Sequence, residues 1–224
     1  MHMDLTKVNR LIEERPDHNS GNQRAGERRL ADAAIGNEVE RLAAIYCMQH
    51  SRSVQKITRF DFDVPEYPAG FFGYENDEEG EGWDHFVAFD LFVSGQTTFL
   101  AEVKHKPSKK SGAGAYYPLD VKRLQRMRKA YRHASDLQHL FVVFDSKRKD
   151  APAYGFFAVT MDQLIANAST YTIQRGFGET VKDFYKIPTK EFRPLSYFLK
   201  QRNPATGELY VLPEKPLSIT HEAA

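Results

Sequence analysis

The sequence contains very little cysteine, since Cys47 is the single one among its 224 residues. One thiol excludes an internal disulfide framework and a cysteine-rich zinc site. Long apolar runs are also absent, because none approaches the roughly 20 residues that a membrane-spanning helix needs. The first residues, Met-His-Met-Asp-Leu, lack the charged-then-apolar order of a signal peptide. We therefore expect no membrane association and a cytoplasmic location.

Net charge is nearly missing as well, because 31 Lys and Arg residues balance 30 Asp and Glu residues to give +1. The balance hides an uneven distribution along the chain. Acids crowd residues 75–84, and a basic block follows in which only Asp120 opposes Lys104, Lys106, Lys109, Lys110, Lys122, Arg123, Arg126, Arg128, Lys129 and Arg132. Such a block is typical of a nucleic-acid contact, although a solvated helix face and loop would have the same composition.

The length and patterning indicate one α/β domain with polar ends. We interpret residues 1–27 as a polar N-terminal arm (loose or a short helix), 28–200 as the domain, and 201–224 as a weakly structured tail. The domain begins with a helix from Arg28 to about Gln49 that carries an apolar stripe. Strands and helices then follow in the order Ile57 to Phe62, Phe86 to Val93, Thr98 to Lys104, a basic helix from Pro118 to about Ala134, Leu140 to Phe144, Tyr154 to Val159, and a helix capped by Thr160. This order predicts a mixed central β-sheet flanked by helices.

A hairpin within this pattern brings charged residues together. Ser94-Gly95-Gln96-Thr97 joins two β-rich runs. A turn centred on Gly95-Gln96 places Asp90 opposite Ala101, one residue from Glu102, and a bulge or longer loop would shift this by one residue. Glu102 and Lys104 are two apart in a strand, so their side chains leave by the same face. We therefore expect Asp90, Glu102 and Lys104 to lie together on strands that are otherwise apolar.

Such a cluster suits a divalent metal. Burying charges without partners costs several kcal/mol each, and a cation bound by both carboxylates would offset that cost. Asp90 and Glu102, with the backbone carbonyl of Val103, offer the hard oxygen ligands that Mg²⁺ or Mn²⁺ prefers. A bound metal lowers the pKa of a coordinated water, and Lys104 would position that water and stabilise developing charge on a phosphate. The cluster predicts metal-dependent phosphodiester hydrolysis.

The same residues resemble the PD-(D/E)XK nuclease superfamily, which has a restriction-endonuclease-like core. The matching segments are Phe89-Asp90-Leu91-Phe92-Val93 and Phe99-Leu100-Ala101-Glu102-Val103-Lys104. Gly36-Asn37-Glu38-Val39-Glu40 is similar to the first core helix of Mrr-type enzymes and archaeal Holliday-junction resolvases, and this resemblance implies that Glu40 is a further catalytic acid. Helical counting by itself leaves Glu38 open as the alternative.

The resemblance also implies a Gln or Lys on the helix that follows the Lys-bearing strand, which Gln125 or Lys122 would supply. Two features of some family branches are absent: Phe89 stands where a proline precedes the motif Asp, and Tyr131 lies too far from Gln125 for the RecB-like spacing. Both absences weaken a subfamily assignment and leave the superfamily resemblance intact. The resemblance covers about residues 28–160.

Other residues offer competing interpretations. Asp120-Val121-Lys122 and Asp145-Ser146-Lys147 repeat the acid-x-Lys triplet, but the first opens a helix, where an acid is favourable, and we interpret the second as an exposed strand end. His85 and His105 flank the cluster, yet without a close His pair zinc is not expected. The cluster of Asp90, Glu102 and Lys104 could also be a structural ion pair.

The function expected from the sequence is a Mg²⁺-dependent nuclease acting on DNA. Asp90, Glu102, Lys104 and Glu40 would be catalytic, and the nucleic acid would contact a basic set: Lys106, Lys122, Arg123, Gln125 and Arg126. The alternatives are an inactive nucleic-acid-binding module on the same fold and an interaction protein with a structural charge cluster. A homodimer is compatible with the sequence, because nucleases that cut both strands are often dimers, but no residue demonstrates one.

Overall fold

The computed structural model describes residues 4–16, 22–50, 52–56, 89–122, 124, 137–148, 155–174, 183–202 and 205–210. Its α-helices are α1 (Thr6–Glu13), α2 (Asn22–Gln49) and α3 (Met161–Asn167), with 3-10 helices at Ala168–Thr170, Thr189–Glu191 and Leu195–Leu199. The strands are β1 (Ser53–Lys56), β2 (Leu91–Ser94), β3 (Phe99–His105), β4 (Lys109–Ser111), β5 (Gly114–Asp120), β6 (Gln138–Phe144), β7 (Phe156–Thr160), β8 (Thr172–Gln174), β9 (Phe184–Pro188), β10 (Arg193–Pro194), β11 (Gln201–Arg202) and β12 (Leu209–Tyr210).

The main sheet has six strands in the order β1-β2-β3-β6-β7-β10. β3 and β6 run parallel, and each of the other neighbouring pairs is antiparallel. This parallel pair lies at the centre of the sheet. The side chains of β6 are almost all apolar, as a strand buried on both faces requires. The predicted fold class, a mixed central sheet flanked by helices, is confirmed.

Helix α2 covers one face of the main sheet. The stripe predicted for it is buried: Ile35, Val39, Leu42, Ala43 and Tyr46. These side chains share one core cluster with Leu91, Ala101, Val103 and Val142 of the sheet. The other face packs Phe141, Val143, Phe157 and Val159 in a second cluster against Tyr117, Leu119 and Ile187. The sheet therefore separates two cores.

The N-terminal segment contributes to the first core. The part of the predicted arm that the structure describes contains α1, and α2 begins within the arm at Asn22 instead of at Arg28. Val8 of α1 is fully buried in the α2 core cluster, with Leu5, Leu11 and Ile12 packed against it. Its few apolar residues recur at helical spacing, so a polar average composition still yields a docked helix.

A smaller sheet covers the second core, in the order β4-β5-β9-β8. Two predictions are wrong here: the predicted order has no strand between Lys104 and Pro118, and it begins a helix at Pro118. Instead β4 and β5 form a hairpin, and Pro118–Asp120 belong to β5, with Val121 as the first helical residue. Tyr117 and Leu119 alternate inward to the core, and Pro118 lies beyond the end of β4, where β5 pairs with β9 alone.

Several predicted elements are matched only in part. The expected strands at 57–62 and 86–88, and the tail beyond 210, lie outside the described residues. Within the predicted tail, β11 and β12 pair with each other in antiparallel fashion. Among the helices of the described ranges, none is long and apolar enough to cross a membrane.

Candidate active site

The hairpin of β2 and β3 sets the position of the acidic pair. Leu91 lies opposite Ala101, Phe92 opposite Leu100 and Val93 opposite Phe99. The predicted register, with Asp90 opposite Ala101, is therefore wrong by one residue, because the connection between the strands spans Gly95 to Thr98 and is longer than a two-residue turn. The shift brings Asp90, immediately before β2, level with Glu102.

Three charged side chains meet at this point. The Lys104 ammonium Nζ lies 2.9 Å from Glu102 Oε1 and 3.1 Å from Asp90 Oδ2. The Val103 backbone N–H also donates to Asp90 Oδ2, at 2.7 Å. Asp90 thus holds the end of β2 to β3 through both a backbone donor and a lysine. The structure brings Asp90, Glu102 and Lys104 into direct contact, as the sequence predicted.

The cluster is deep in the protein on the face opposite α2. Glu102 is fully buried, and the exposed fractions of the Asp90 and Lys104 side chains are 14% and 26%. In the parallel pair Glu102 lies beside Phe141 and Lys104 beside Val143, which belong to the core under the small sheet. His105 has the opposite orientation by alternation and lies against Phe144 on the α2 side. His105 is therefore turned away from the acids, and burial lowers the pKa of its imidazole.

The donor set fits a hard divalent cation. Two carboxylates and one ammonium leave a formal charge of −1 in a place from which water is largely excluded, and a cation would neutralise it. Because the N–H and C=O of one strand residue point to the same side, the Val103 carbonyl lies on the β2 side of β3, as its N–H does. No group of three or more Asp, Glu, His or Cys side chains is placed to hold a metal in the described ranges, so this carbonyl and water would complete the ligand set.

The two helical acids of α2 have separate partners. The Glu40 carboxylate Oε2 lies 2.9 Å from Nζ of Lys56, and Lys56 is opposite Leu91, the residue after Asp90. Glu38 is almost fully buried and pairs with Lys7 of α1 and with Arg41. The contacts thus bring Glu40 to the strand beside Asp90 rather than to Lys104, and they direct Glu38 toward α1.

The predicted nucleic-acid contacts are described only in part. Lys106 is half-buried just after β3, and Lys122 is exposed in the first helical turn after β5. Burial lowers the pKa of Lys106, as do the neighbouring charges of Lys104 and Lys109, while Asp120 raises it. Arg123, Gln125 and Arg126 lie outside the residues whose side chains are described.

Asp145 is a buried residue that the sequence pattern missed. The interpretation of Asp145-Ser146-Lys147 as an exposed strand end is correct for Ser146 and Lys147 and wrong for Asp145, which is 1% exposed. Its Oδ2 accepts from the Tyr117 hydroxyl at 2.9 Å and its Oδ1 from the Lys147 backbone N–H at 2.9 Å. Its own N–H donates to the carbonyl of Gly155, where φ is +68°. Two features of the sequence could have indicated this burial: the apolar run from Leu140 to Phe144 before Asp145, and Gly155 after it.

Comparison with known proteins gives one structural likeness. Neither protein-family models nor curated proteins match this chain. Among solved structures, a nuclease from a fusselovirus aligns over 82% of this chain and 94% of its own, with 12% identity and a TM-score of 0.35. A likeness at this level does not assign a function, so a proposal for function depends on the geometry of the site.

Proposed function

We propose that this protein is a metal-dependent nuclease of the PD-(D/E)XK type that hydrolyses phosphodiester bonds in DNA. The observation that carries the proposal is the convergence of Asp90 and the fully buried Glu102 on the single ammonium of Lys104, at the ends of two neighbouring strands. A buried acid and a half-buried acid beside one lysine are costly for the fold and are well suited to phosphoryl chemistry.

Asp90, Glu102 and the Val103 carbonyl would hold Mg²⁺ or Mn²⁺. When bound, the ion supplies an activated water and neutralises charge on the phosphate. Lys104 has one ammonium shared between two carboxylates, which hold it in place to orient a water toward the phosphorus atom. The same ammonium stabilises the negative charge that develops on the phosphorus oxygens.

Glu40 is proposed as a supporting acid on the α2 side. Its partner Lys56 lies on β1 opposite Leu91, the residue that follows Asp90, so the ion pair attaches α2 to the strand that pairs with β2. Substituting Glu40→Gln would therefore lower activity through the position of Asp90, and Lys56→Gln would have the same effect if this route is correct. A loss with Glu40→Gln alone would assign the carboxylate a direct role.

Lys106 and Lys122, with Arg123, Gln125 and Arg126, are proposed to contact the DNA backbone. Lys106 follows the catalytic strand directly, and Lys122 is exposed at the start of the next helix. Phosphate contacts of this kind give affinity that falls with salt.

An inactive nucleic-acid-binding module is the second candidate. It is favoured by the observation that Lys104 already pairs with both carboxylates, so that the acids have a cationic partner without a metal.

The decisive experiment compares cleavage of plasmid and single-stranded DNA in Mg²⁺, Mn²⁺ or EDTA. Lys104→Ala and Asp90→Asn are expected to reduce cleavage at least about a hundredfold, in line with loss of a transition-state contact. Lys200→Gln is the control, since the Lys200 ammonium lies over the Tyr197 ring. Cleavage that survives EDTA and both substitutions would refute the nuclease proposal, and tight binding without cleavage in every metal would favour the second candidate.

A further inference from the structure

The small sheet has a second face, whose described side chains belong to neither core cluster. Tyr117 and Leu119 of β5 and Ile187 of β9 point inward to the second core. By strand alternation the residues between them point outward. The register aligns Lys109 with Tyr116, Pro118 with Lys186, and Asp120 with Phe184. We call these six side chains the outer face.

Lysines on the outer face lie over aromatic rings. The Lys109 ammonium is 5.8 Å from the centroid of the Phe184 ring, and the Lys186 ammonium is 5.2 Å from that of Tyr116. Cation–π contacts at these distances hold a long side chain in place while leaving the ammonium hydrogen-bond donors available. Lys109 is exposed and Lys186 is half-buried. The two ammonium groups are therefore preorganised.

A short connection along the chain, from β3 to β4, joins the candidate active site to the outer face. Lys106 lies in this connection, between Lys104 of β3 and Lys109 at the start of β4. A line of positive charge thus runs from Lys104 through Lys106 to Lys109. A polymer that is cut beside Lys104 extends beyond the cleaved bond. The line of lysines is positively charged and would attract its negatively charged phosphodiester backbone.

We propose that the outer face binds phosphates of the DNA strand that flanks the cleaved bond, with Lys109 and Lys186 as the contacting residues. The proposal rests on the proposed function, which supplies the polymer and the point where it is cut. Single-stranded or locally opened DNA fits this face, because a strand can follow the connection from β3 across the sheet. The aromatic rings position the lysines and need not stack on bases.

The test measures binding and chemistry separately on the full-length protein. Affinity for a fluorescent single-stranded oligonucleotide is followed by anisotropy in Ca²⁺ or EDTA over a range of salt. The double variant Lys109→Gln with Lys186→Gln keeps most of each side-chain stem, and Lys200→Gln is the matched control because Lys200 also lies over a tyrosine, 3.8 Å from the Tyr197 ring centroid. Hydrolysis of bis(p-nitrophenyl) phosphate, a single diester without flanking nucleotides, reports the chemistry alone.

The double variant should make the slope of log affinity against log salt shallower by roughly 1.4, since each phosphate contact removed from a single strand contributes about 0.7. Its hydrolysis of the small diester should equal that of wild type, and Lys200→Gln should match wild type in both assays. Lys109→Glu with Lys186→Glu, checked for folding by circular dichroism, should weaken binding further.

An unchanged salt slope in both double variants would overturn the outer-face proposal while leaving the nuclease proposal standing. If the wild type hydrolyses neither substrate but the slopes change as expected, the nuclease proposal fails and the binding face stands. A slope that changes equally with heparin and an acidic polypeptide in place of DNA would show a general anion surface and contradict the assignment.

Discussion

Lys104 balances the charge of two carboxylates with a single ammonium group. It is the ammonium that contacts both Asp90 and Glu102, and one of those acids is fully buried. Removing a partner from a buried ion pair leaves an uncompensated charge, which is more costly than the pair itself. Without metal, the stability of the protein should therefore depend far more on Lys104 than on an average surface lysine.

Replacing Lys104→Met should lower the free energy of unfolding in EDTA by about 2–3 kcal/mol, because two neighbouring carboxylates lose their cation. Saturating Mg²⁺ should restore most of the loss if the acids bind metal. Urea unfolding followed by circular dichroism measures both quantities. Glu102→Gln is the contrasting variant, because Lys104 still pairs with Asp90 and the buried site loses one negative charge. This variant should lose little stability but should no longer cleave DNA. A Lys104→Met protein equally stable with and without Mg²⁺ would contradict metal binding at these acids.

At the scale of elements, Glu38 joins α1 to α2. It pairs with Lys7 across the two helices and with Arg41 within α2. The hydrogen bond from Arg41 is the main reason that the pKa of Glu38 lies below its ordinary value; burial opposes this shift and Lys7 adds to it. A carboxyl whose pKa is depressed by folding stabilises the protein above its unfolded-state pKa and loses that contribution as pH falls.

Glu38→Gln should therefore reduce the free energy of unfolding by about 1–2 kcal/mol near neutral pH. The difference from wild type should shrink as pH falls below about 4.5, the ordinary value for this side chain, and disappear once Glu38 is protonated in both states. Urea titrations at several pH values between 3 and 7 (roughly the range in which the carboxyl titrates) give the comparison. A difference that grows toward acid pH would refute this account.

Another link between elements is the buried bond between the two sheets. Tyr117 of β5 donates to Asp145 at the end of β6. Burial is the main cause that raises the pKa of Tyr117, so the hydroxyl stays protonated and remains a donor throughout the neutral range. This bond attaches the small sheet to the strand that runs beside the catalytic strand.

Tyr117→Phe should cost about 1.5–3 kcal/mol, as expected for losing a hydrogen bond to a buried charged group. Tyr171→Phe is the matched control, because Tyr171 donates to Glu191 at 2.6 Å but that carboxylate is only half-buried and regains water. Thermal unfolding of the two variants should therefore differ, with Tyr117→Phe the less stable. Equal losses would mean that burial of Asp145 does not decide the cost.

At the scale of the whole molecule, metal binding should be coupled to folding. A ligand that binds only the folded state stabilises it by an amount that grows with concentration, about 2.7 kcal/mol at a hundred times the dissociation constant. Mg²⁺ or Mn²⁺ should raise the unfolding midpoint of the wild type in this way. Asp90→Asn with Glu102→Gln should remove the effect, and persistence of the effect in that double variant would place the metal elsewhere.

Much of the architecture follows from local sequence pattern. Period-2 alternation and the turn residues predicted the β2–β3 hairpin, the apolar run of Leu140 to Phe144 predicted a buried strand, and the stripe of α2 predicted a packed helix. The small sheet was missed because β4 is only three residues long and polar. Such a strand forms only when β5 is already present to pair with it, and local patterning contains no signal of that kind.

The candidate site likewise has features that follow from local sequence pattern and features that only the tertiary structure determines. Strand periodicity determined that Glu102 and Lys104 share a face, because side-chain direction alternates within any strand, and the hairpin turn placed Asp90 near them. The tertiary structure decided the register that aligns Asp90 with Glu102, the separate partners of Glu38 and Glu40, the burial of Asp145 and the outer face of lysines over aromatic rings. Those features depend on loop length and on contacts between residues far apart in the chain, which no local pattern records.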